Sequence, residues 1–184
     1  MLKCIKITKQ DSIYPQNLKS MWNSPNKIYA IGNIKLLNEK CFSVVGSRGI
    51  TKYGEKYCKK ICKEFALRDI PIISGMAIGT DTVAHKTALK YNGKTIAVLP
   101  CGFDNIYPPE NIKLFQEIID NNGLVITEYE NSVVANSNRF LERNRIVAVL
   151  GEGLFVVEAL YRSGTSVTAR IATENNRKVF ALPR

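Results

Sequence analysis

The sequence predicts an α/β fold in which helices cover both faces of a doubly wound, mostly parallel sheet. Short segments that are almost continuously apolar and rich in β-branched residues recur along the chain, as is typical of strands buried on both faces. Amphipathic stretches with helical spacing separate these segments, so strand and helix alternate. Because 45% of the 184 residues are apolar, the chain can form a sizeable core.

Six strands and four helices follow from this pattern. The predicted strands are residues 41–46, 70–74, 95–99, 124–127, 154–157 and 179–182. The predicted helices are residues 53–68, 80–93, 108–123 and 163–176. In the first helix, apolar side chains recur every three or four residues with lysines on the other side, and the second and third end in Asn-Gly, a helix-stop signal. Such strand–helix–strand units have right-handed crossovers.

The first 40 residues differ from the rest of the chain. The stretch YPQNLKSMWNSPNKIYAIGN contains two prolines, the lone tryptophan and a Gly-Asn turn. We expect one or two short helices and one strand here, packed as a cap on the sheet. The predicted organisation is therefore an N-terminal extension, residues 1–40, and a main domain, residues 41–184.

The chain is strongly basic. Lysine and arginine number 26 against 16 aspartates and glutamates, which gives a formal net charge of +10. A field of this sign attracts polyanions and is a first indication of nucleic-acid binding. A general bias toward Lys, Asn and Ile explains the same excess, so charge alone leaves both interpretations open.

Composition also argues against a membrane protein and a metalloprotein. No stretch approaches the roughly 20 apolar residues that a membrane span needs, and the first residues lack a signal-peptide pattern. We expect a cytoplasmic protein with no membrane partner. Five scattered cysteines and one histidine offer few zinc ligands, so we expect reduced thiols and neither a metal nor another cofactor.

Several predicted strands end in small, glycine-containing turns. Ligands of doubly wound sheets bind beyond the carboxyl ends of the strands, where helix N-termini present free N–H groups that suit phosphate or carboxylate. The first predicted strand ends in Gly46-Ser47-Arg48, and Arg48 adds a planar, permanently charged guanidinium. Similar turns supply the hydroxyl groups of Ser74, Ser163 and Thr165. A single turn of this kind is explained by the tight connections that every strand–helix–strand unit needs, whereas three at one edge of the sheet favour an anion-binding site.

The stretch NRFLERNRIVAVLG combines arginines with an aromatic ring. Arg139 and Arg143 are four residues apart and share a helix face, whereas Arg145 points elsewhere. Together with Phe140 this composition is typical of single-strand binders, in which guanidinium groups take phosphates and a ring stacks on a base. Phe140 in the core, with Glu142 pairing locally, fits the residues equally well.

Two residues are candidates for acid–base chemistry. His85 is the only imidazole, and no second group is visibly assigned to it, so a structural role is favoured. Glu158, at the end of the fifth predicted strand, is the best single candidate for a catalytic carboxylate. Its alternative role is to accept hydrogen bonds from turn N–H groups or from an arginine.

A series of ordered motifs resembles one known family, the DNA-processing protein A or Smf family. They are YPQNL, SPNKIYAIGN, VVGSR, SGMAIGTDTVAHKTAL, TIAVLPCGFDNIYPPENIKLFQEI, GLVITEY, RFLERNRIVAVL and VVEALYRSGTSVTARIATENNRKVFALP. They run from residue 14 to residue 183, and so many motifs in order make the resemblance highly specific. It implies an extended Rossmann-like fold and a protein that binds single-stranded DNA, protects incoming DNA in natural transformation, helps to load the recombinase RecA and forms homodimers. Family members are regarded as binding proteins, not enzymes.

The resemblance also implies a set of DNA-binding residues. They are Gly46, Ser47, Arg48, Phe140, Arg143, Asn144, Arg145, Ser163, Gly164 and Thr165, with Arg139 added from its place beside Arg143.

Two other functions stay open. The sequence lacks both the G-x-G-x-x-G dinucleotide fingerprint and the G-x-x-x-x-G-K-[ST] P-loop, which argues against a dinucleotide cofactor and against ATP hydrolysis at a P-loop. A nucleotide or nucleoside-phosphate hydrolase of the lysine-decarboxylase-like Rossmann group would carry a glutamate in the helix after the turn RSGTS. Here none follows before Glu174. A nucleotide sensor would keep the anion site and not bind the polymer.

Overall fold

The computed structural model describes residues 3–183, so residues 1–2 and 184, the outer ends of the two predicted segments, lie outside the described residues. The strands are β1 (Ile5–Thr8), β2 (Lys27–Gly32), β3 (Phe42–Val45), β4 (Ile72–Ser74), β5 (Thr95–Leu99), β6 (Leu124–Thr127), β7 (Gly153–Val156) and β8 (Lys178–Ala181). The α-helices are α1 (Gln16–Lys19), α2 (Lys52–Leu67), α3 (Thr80–Lys90), α4 (Ile112–Asp120), α5 (Ser137–Leu150) and α6 (Gly164–Glu174). Short 3₁₀ helices span Ile34–Asn38, Phe103–Asn105 and Pro109–Asn111.

All eight strands form one sheet, in the spatial order β1-β2-β6-β5-β4-β3-β7-β8. The strands from β3 to β8 are parallel to their neighbours among themselves, which confirms the predicted α/β fold. From β3 to β6 each new strand is added on one side, and the chain then returns past β3 to place β7 and β8 on the other side. This reversal creates a switch point at the carboxyl ends of β3 and β7, where such sheets bind ligands.

Helix α5 makes the crossing that creates the switch point, since it connects β6 to β7. Its second half, residues 146–150, is buried in the largest hydrophobic cluster. Because the helix runs antiparallel to the strands, its polar first half lies at the carboxyl edge of the sheet. The apolar second half therefore fixes where the arginine-bearing first half is presented.

The N-terminal segment contains two strands where the sequence analysis predicted one. β2 pairs antiparallel with β6, and β1 pairs antiparallel with β2, so the segment extends the sheet at its edge. Ile7 and Ile28 are buried in the same cluster as the β-strands of the main domain. The missed strand has only four residues, with a lysine between two isoleucines, and this alternation is typical of a half-buried edge strand.

Within residues 3–183 no helix has both the length and the apolar character that crossing a bilayer requires.

Candidate functional site

An open cavity of about 920 Å³ lies at the switch point of the sheet. Its walls come from the turns after β3 and β4, the first half of α5 and the turn that begins α6. Of the residues expected to bind DNA, the following line this cavity: Gly46, Ser47, Arg48, Phe140, Arg143, Asn144, Ser163, Gly164 and Thr165. Arg139 and Arg145 do not. Segments separated by more than 100 residues in sequence thus converge on one concave surface.

The turn after β3 is held in place by the starts of α3 and α6. The backbone N–H and the hydroxyl of Thr80 both donate to the Ser47 carbonyl oxygen, each at 3.1 Å. Thr165 Oγ1 donates to the Gly46 carbonyl oxygen, also at 3.1 Å. A Cβ at Gly46 would lie 2.4 Å from Thr80 Oγ1, so glycine permits this close approach. The turn therefore has a fixed backbone from which Arg48 projects.

Arg48 is exposed and carries a guanidinium that is free to bind a ligand. Among the described residues it makes no ion pair and no side-chain hydrogen bond. Its guanidinium carbon lies 5.0 Å from the centroid of the Phe140 ring, which is cation–π distance. This contact orients the charge at the mouth of the cavity and leaves its N–H donors unused.

Phe140 lies at the cavity wall and not in any of the buried hydrophobic clusters described. Tyr107 meets it edge to face, with ring centroids 5.5 Å apart. The guanidinium carbon of Arg143 lies 5.9 Å from the Phe140 centroid. The ring is thus flanked by two guanidinium groups and remains half-buried. The structure favours an aromatic wall over the core alternative that the sequence left open.

Arg143 forms the floor of the cavity. It is only 4% exposed, and its Nη1 donates to the carbonyl oxygens of Val98, at 2.7 Å, and of Gly75. Nε donates to Asn144 Oδ1 at 3.1 Å. Burial lowers the pKa of Arg143, while the nearby Asp81 carboxylate opposes that shift. Arg143 therefore ties the ends of two strands together and contributes positive charge from below.

Asp81 also lines the cavity, and the sequence analysis did not place it there. Its carboxylate accepts a hydrogen bond from the Ala77 backbone N–H at 3.2 Å. Burial raises the pKa of Asp81, and the Arg143 charge is the largest opposing influence. It is the single carboxylate among the described residues that line the cavity. Asp81 is an acidic residue in the first turn of α3, and its separation from Arg143 along the chain hid their proximity in the fold.

The N-terminus of α6 closes the cavity on the side of β7. Ser163 caps the helix, with its hydroxyl accepting a hydrogen bond from the Ser166 N–H at 3.3 Å. Gly164 and Thr165 follow and line the cavity. The first N–H groups of an 11-residue helix, with their partial positive charge, stand beside Arg48 and Arg143 at the same edge. This arrangement suits a phosphate group.

Arg145 and Arg139 have their own partners outside the cavity. Arg145 pairs with both carboxylate oxygens of Glu128 and donates to the Asn23 carbonyl oxygen at 2.6 Å. It lines a second, smaller cavity of about 430 Å³. Arg139 donates to the Val134 carbonyl oxygen and lies 5.5 Å from the centroid of the Tyr129 ring. The spacing argument separated Arg145 correctly from Arg143, whereas the resemblance placed both in one pocket.

Glu158 and His85 have structural partners. The Glu158 carboxylate accepts hydrogen bonds from the N–H of Thr51, at 2.9 Å, and from its hydroxyl, and so anchors the start of α2. His85 is fully buried, with Nδ1 2.7 Å from Thr95 Oγ1. Burial lowers the pKa of His85 to about 3. Neither side chain lines the cavity, and no group of three or more His, Cys, Asp or Glu residues between residues 3 and 183 is placed to hold a metal.

Comparison with known proteins identifies the family of the chain. A sequence profile of the family described as DNA recombination-mediator protein A matches residues 6–184. The chain belongs to this family. Protein Smf of Escherichia coli (strain K12) is 39% identical over 177 residues, or 96% of this chain and 47% of that protein. DNA processing protein DprA of Streptococcus pneumoniae (strain ATCC BAA-255 / R6) is 40% identical over 173 residues, or 94% of this chain and 61% of that protein. The chain thus spans between about half and two thirds of the length of these two relatives.

Solved structures of the recombination-mediator family have the same fold. An X-ray structure of DprA from Streptococcus pneumoniae superposes with a TM-score of 0.93 and 39% identity, over 99% of this chain and 64% of that chain. A structure of DNA processing protein A from Helicobacter pylori, which concerns the single-stranded DNA binding mode of that protein, gives a TM-score of 0.90 and 32% identity. It covers 100% of this chain and 82% of that chain. These matches confirm the Rossmann-like architecture predicted from the sequence.

Proposed function

We propose that the chain binds single-stranded DNA at the switch-point cavity and breaks no covalent bond there. The observation that carries this proposal is the Arg48 guanidinium, which stands over Phe140 at the cavity mouth with no acidic partner among the described residues. Guanidinium groups beside an aromatic ring are the combination that single-strand binders use for phosphates and bases. The net charge of +10 steers a polyanion toward the surface.

Each part of the site has a place in this proposal. Arg48 and the first N–H groups of α6 take phosphate oxygens, and Phe140 provides a stacking surface for a base. Ser47, Asn144 and Ser163 add polar groups around the cavity. Arg143 holds the floor and adds charge, and Arg139 and Arg145 position α5 through their own partners. The cavity-lining residues belong to the predicted main domain, and strands β1 and β2 of the N-terminal segment extend the sheet.

The positions of the acidic groups and of the histidine support a site without catalysis. Glu158 is engaged with Thr51, and the buried Asp81 carboxylate accepts a hydrogen bond from the Ala77 N–H. His85 is buried away from the cavity and stays neutral. A general acid or base must reach the proton that it transfers. Glu158 and His85 lie outside the cavity, and the Asp81 carboxylate, which lines it, is already hydrogen-bonded within the protein.

Family membership and the named relatives support a wider role. The Helicobacter pylori protein is described by its single-stranded DNA binding mode, and the Streptococcus pneumoniae protein as a DNA processing protein. We extend the proposal to a cytoplasmic role in natural transformation, with protection of incoming strands, loading of recombinase RecA and a homodimer as its further elements. Sedimentation of the chain alone, and a pull-down with purified recombinase, test the last two.

A binding titration tests the central proposal. Labelled oligo-dT is titrated with the chain, and unlabelled single strands, duplex of the same length and mononucleotides compete. We expect single strands to compete best and mononucleotides poorly. Equal competition by mononucleotides would instead support a nucleotide sensor, and release of free base from nucleoside monophosphates would support a hydrolase. The absence of any oligonucleotide binding at low salt would contradict the proposal.

A further inference from the structure

The segment between β7 and α6 carries an exposed aromatic side chain at the rim of the cavity. Leu160 is 69% exposed and Tyr161 is 88% exposed, with Arg162 and Ser163 following. Leu160 and Ser163 line the cavity, so the residues between them stand at its edge. Arg162 adopts φ 54°, in the left-handed region, which turns the chain sharply at this point. The Tyr161 ring therefore projects into solvent beside the site.

Arg162 covers part of this ring with positive charge. Its guanidinium carbon lies 5.3 Å from the centroid of Tyr161. One face of the ring is thus in cation–π contact, which leaves the other face open to a planar partner. The same pairing of a guanidinium with an aromatic ring occurs at Arg48 and Phe140 inside the cavity. The Arg162–Tyr161 pair therefore repeats, at the same edge of the sheet, the arrangement of Arg48 and Phe140.

We propose that Tyr161 and Arg162 form a second base-stacking platform, which holds a further nucleotide of the strand whose first contact is at Phe140. This inference rests on the proposed function and extends it to a residue outside the expected binding set. Tyr161 stacks on a base through its open face, and Arg162 reaches the adjoining phosphate. The platform sets the direction in which the strand leaves the cavity.

Charge and continuity favour a nucleic acid over an apolar partner at this rim. Arg162 has no ion pair among the described residues, and the neighbouring Glu158 carboxylate is engaged with Thr51. Leu141, which is 51% exposed, and Leu160 both line the cavity, so the apolar surface is continuous with the proposed binding site. Apolar surface with an adjacent unpaired arginine matches the faces and phosphates of a single strand.

Abasic scanning tests the platform. Labelled dT₁₀ oligonucleotides, each with one abasic site at a different position, are titrated against the wild type and against Tyr161→Ala. Tyr161→Ala should bind intact dT₁₀ about 5- to 150-fold more weakly, which corresponds to the loss of one stacked base. In the wild type, abasic sites at two separate positions should weaken binding. In Tyr161→Ala, the abasic site at one of those two positions should no longer matter, and Tyr161→Phe should restore the effect.

Controls separate this inference from the proposed function. Trp22→Ala removes an aromatic side chain that is 99% exposed and lines neither cavity, and it should bind like the wild type. If Phe140→Ala weakens binding but Tyr161→Ala does not, the platform is wrong and the proposed function stands. If neither the wild type nor any variant binds dT₁₀, the proposed function and the platform both fail. Circular dichroism of Tyr161→Ala checks that the fold is intact.

Discussion

The Arg48 guanidinium carbon lies 5.0 Å from the centroid of the Phe140 ring, and both side chains line the same cavity. They come from the turn after β3 and from the first half of α5, so the switch point of the sheet brings them together. Because the ring holds the guanidinium in place, less side-chain entropy is lost when a phosphate binds. The pair is the feature on which the predictions about binding depend.

Phe140→Ala should weaken oligo-dT binding by about 1–3 kcal/mol, because the stacking surface is lost and Arg48 is no longer oriented. Phe140→Tyr should retain most of the affinity, since it keeps the ring. Fluorescence anisotropy with labelled dT₁₀ measures both. The Phe140 ring lies outside the buried clusters, so the fold should survive, as thermal unfolding can verify. Equal affinity of the wild type and Phe140→Ala would exclude stacking at this ring.

Arg143→Met should lower the free energy of unfolding by about 2–4 kcal/mol, because it leaves two buried carbonyl oxygens without their donor. These carbonyls belong to Gly75 and Val98 at the ends of β4 and β5. Urea denaturation measures the change. Arg139→Met is the matched control: its guanidinium bonds the Val134 carbonyl in an exposed setting, and we expect a loss below about 1 kcal/mol. Similar losses in the two variants would show that Arg143 does not hold the cavity floor.

Gly46→Ala should destabilise the protein by about 1–3 kcal/mol, since the new methyl group overlaps with Thr80. A Cβ there would meet Thr80 Oγ1 at 2.4 Å and Thr80 Cγ2 at 2.9 Å, and the β-branched Thr80 is buried. In a double-mutant cycle, Thr80→Ala should reduce the cost of the glycine substitution. Strictly additive changes in the free energy of unfolding would mean that the two residues have no steric interaction.

The stability of the protein should decrease as the pH falls below about 6.5, in part because of His85. Burial lowers the pKa of His85 from 6.5 to about 3, so the unfolded chain binds a proton in this window that the folded chain does not. Each bound proton contributes about 1.4 kcal/mol per pH unit to the slope. His85→Asn, which keeps a donor for Thr95 Oγ1 and removes the titration, should flatten the curve of unfolding free energy between pH 6 and 4. An unchanged slope would show that His85 is not buried in its neutral form.

Much of the fold could be predicted because buried parallel strands have a clear sequence signal, a short and nearly continuous apolar run. Segments such as TIAVL and LVIT are apolar except for one threonine each, and both are strands at those residues, buried at every position. β1 was missed because its four residues are too few for the alternation of apolar and polar side chains to be recognised in the sequence. The glycine turns after β3 and before α6 could also be predicted, because a short connection between a strand and a helix allows few backbone conformations.

The interior of the site was less predictable from the sequence. Arginine is seldom fully buried, so nothing local showed that Arg143 would bond carbonyls 45 and 68 residues away. The role of Phe140 stayed open because a ring beside arginines is equally at home in a core. Arg145 is a contrasting case, because helical spacing alone predicted that it points away from Arg143. Its ion-pair partner Glu128, which follows β6, was not predicted.

The most direct test of the account compares Arg48→Ala with the wild type in oligo-dT titrations at several salt concentrations. Arg68→Ala is the matched control, since this exposed arginine pairs with Glu64 at the far end of α2 and lies outside the cavity. We predict that Arg48→Ala binds more weakly to all sequences alike, and that the slope of log affinity against log salt becomes shallower by about 0.7, the value for one phosphate contact on a single strand. Arg68→Ala should match the wild type. Wild-type affinity and an unchanged slope for Arg48→Ala would contradict the central claim that this arginine binds the strand.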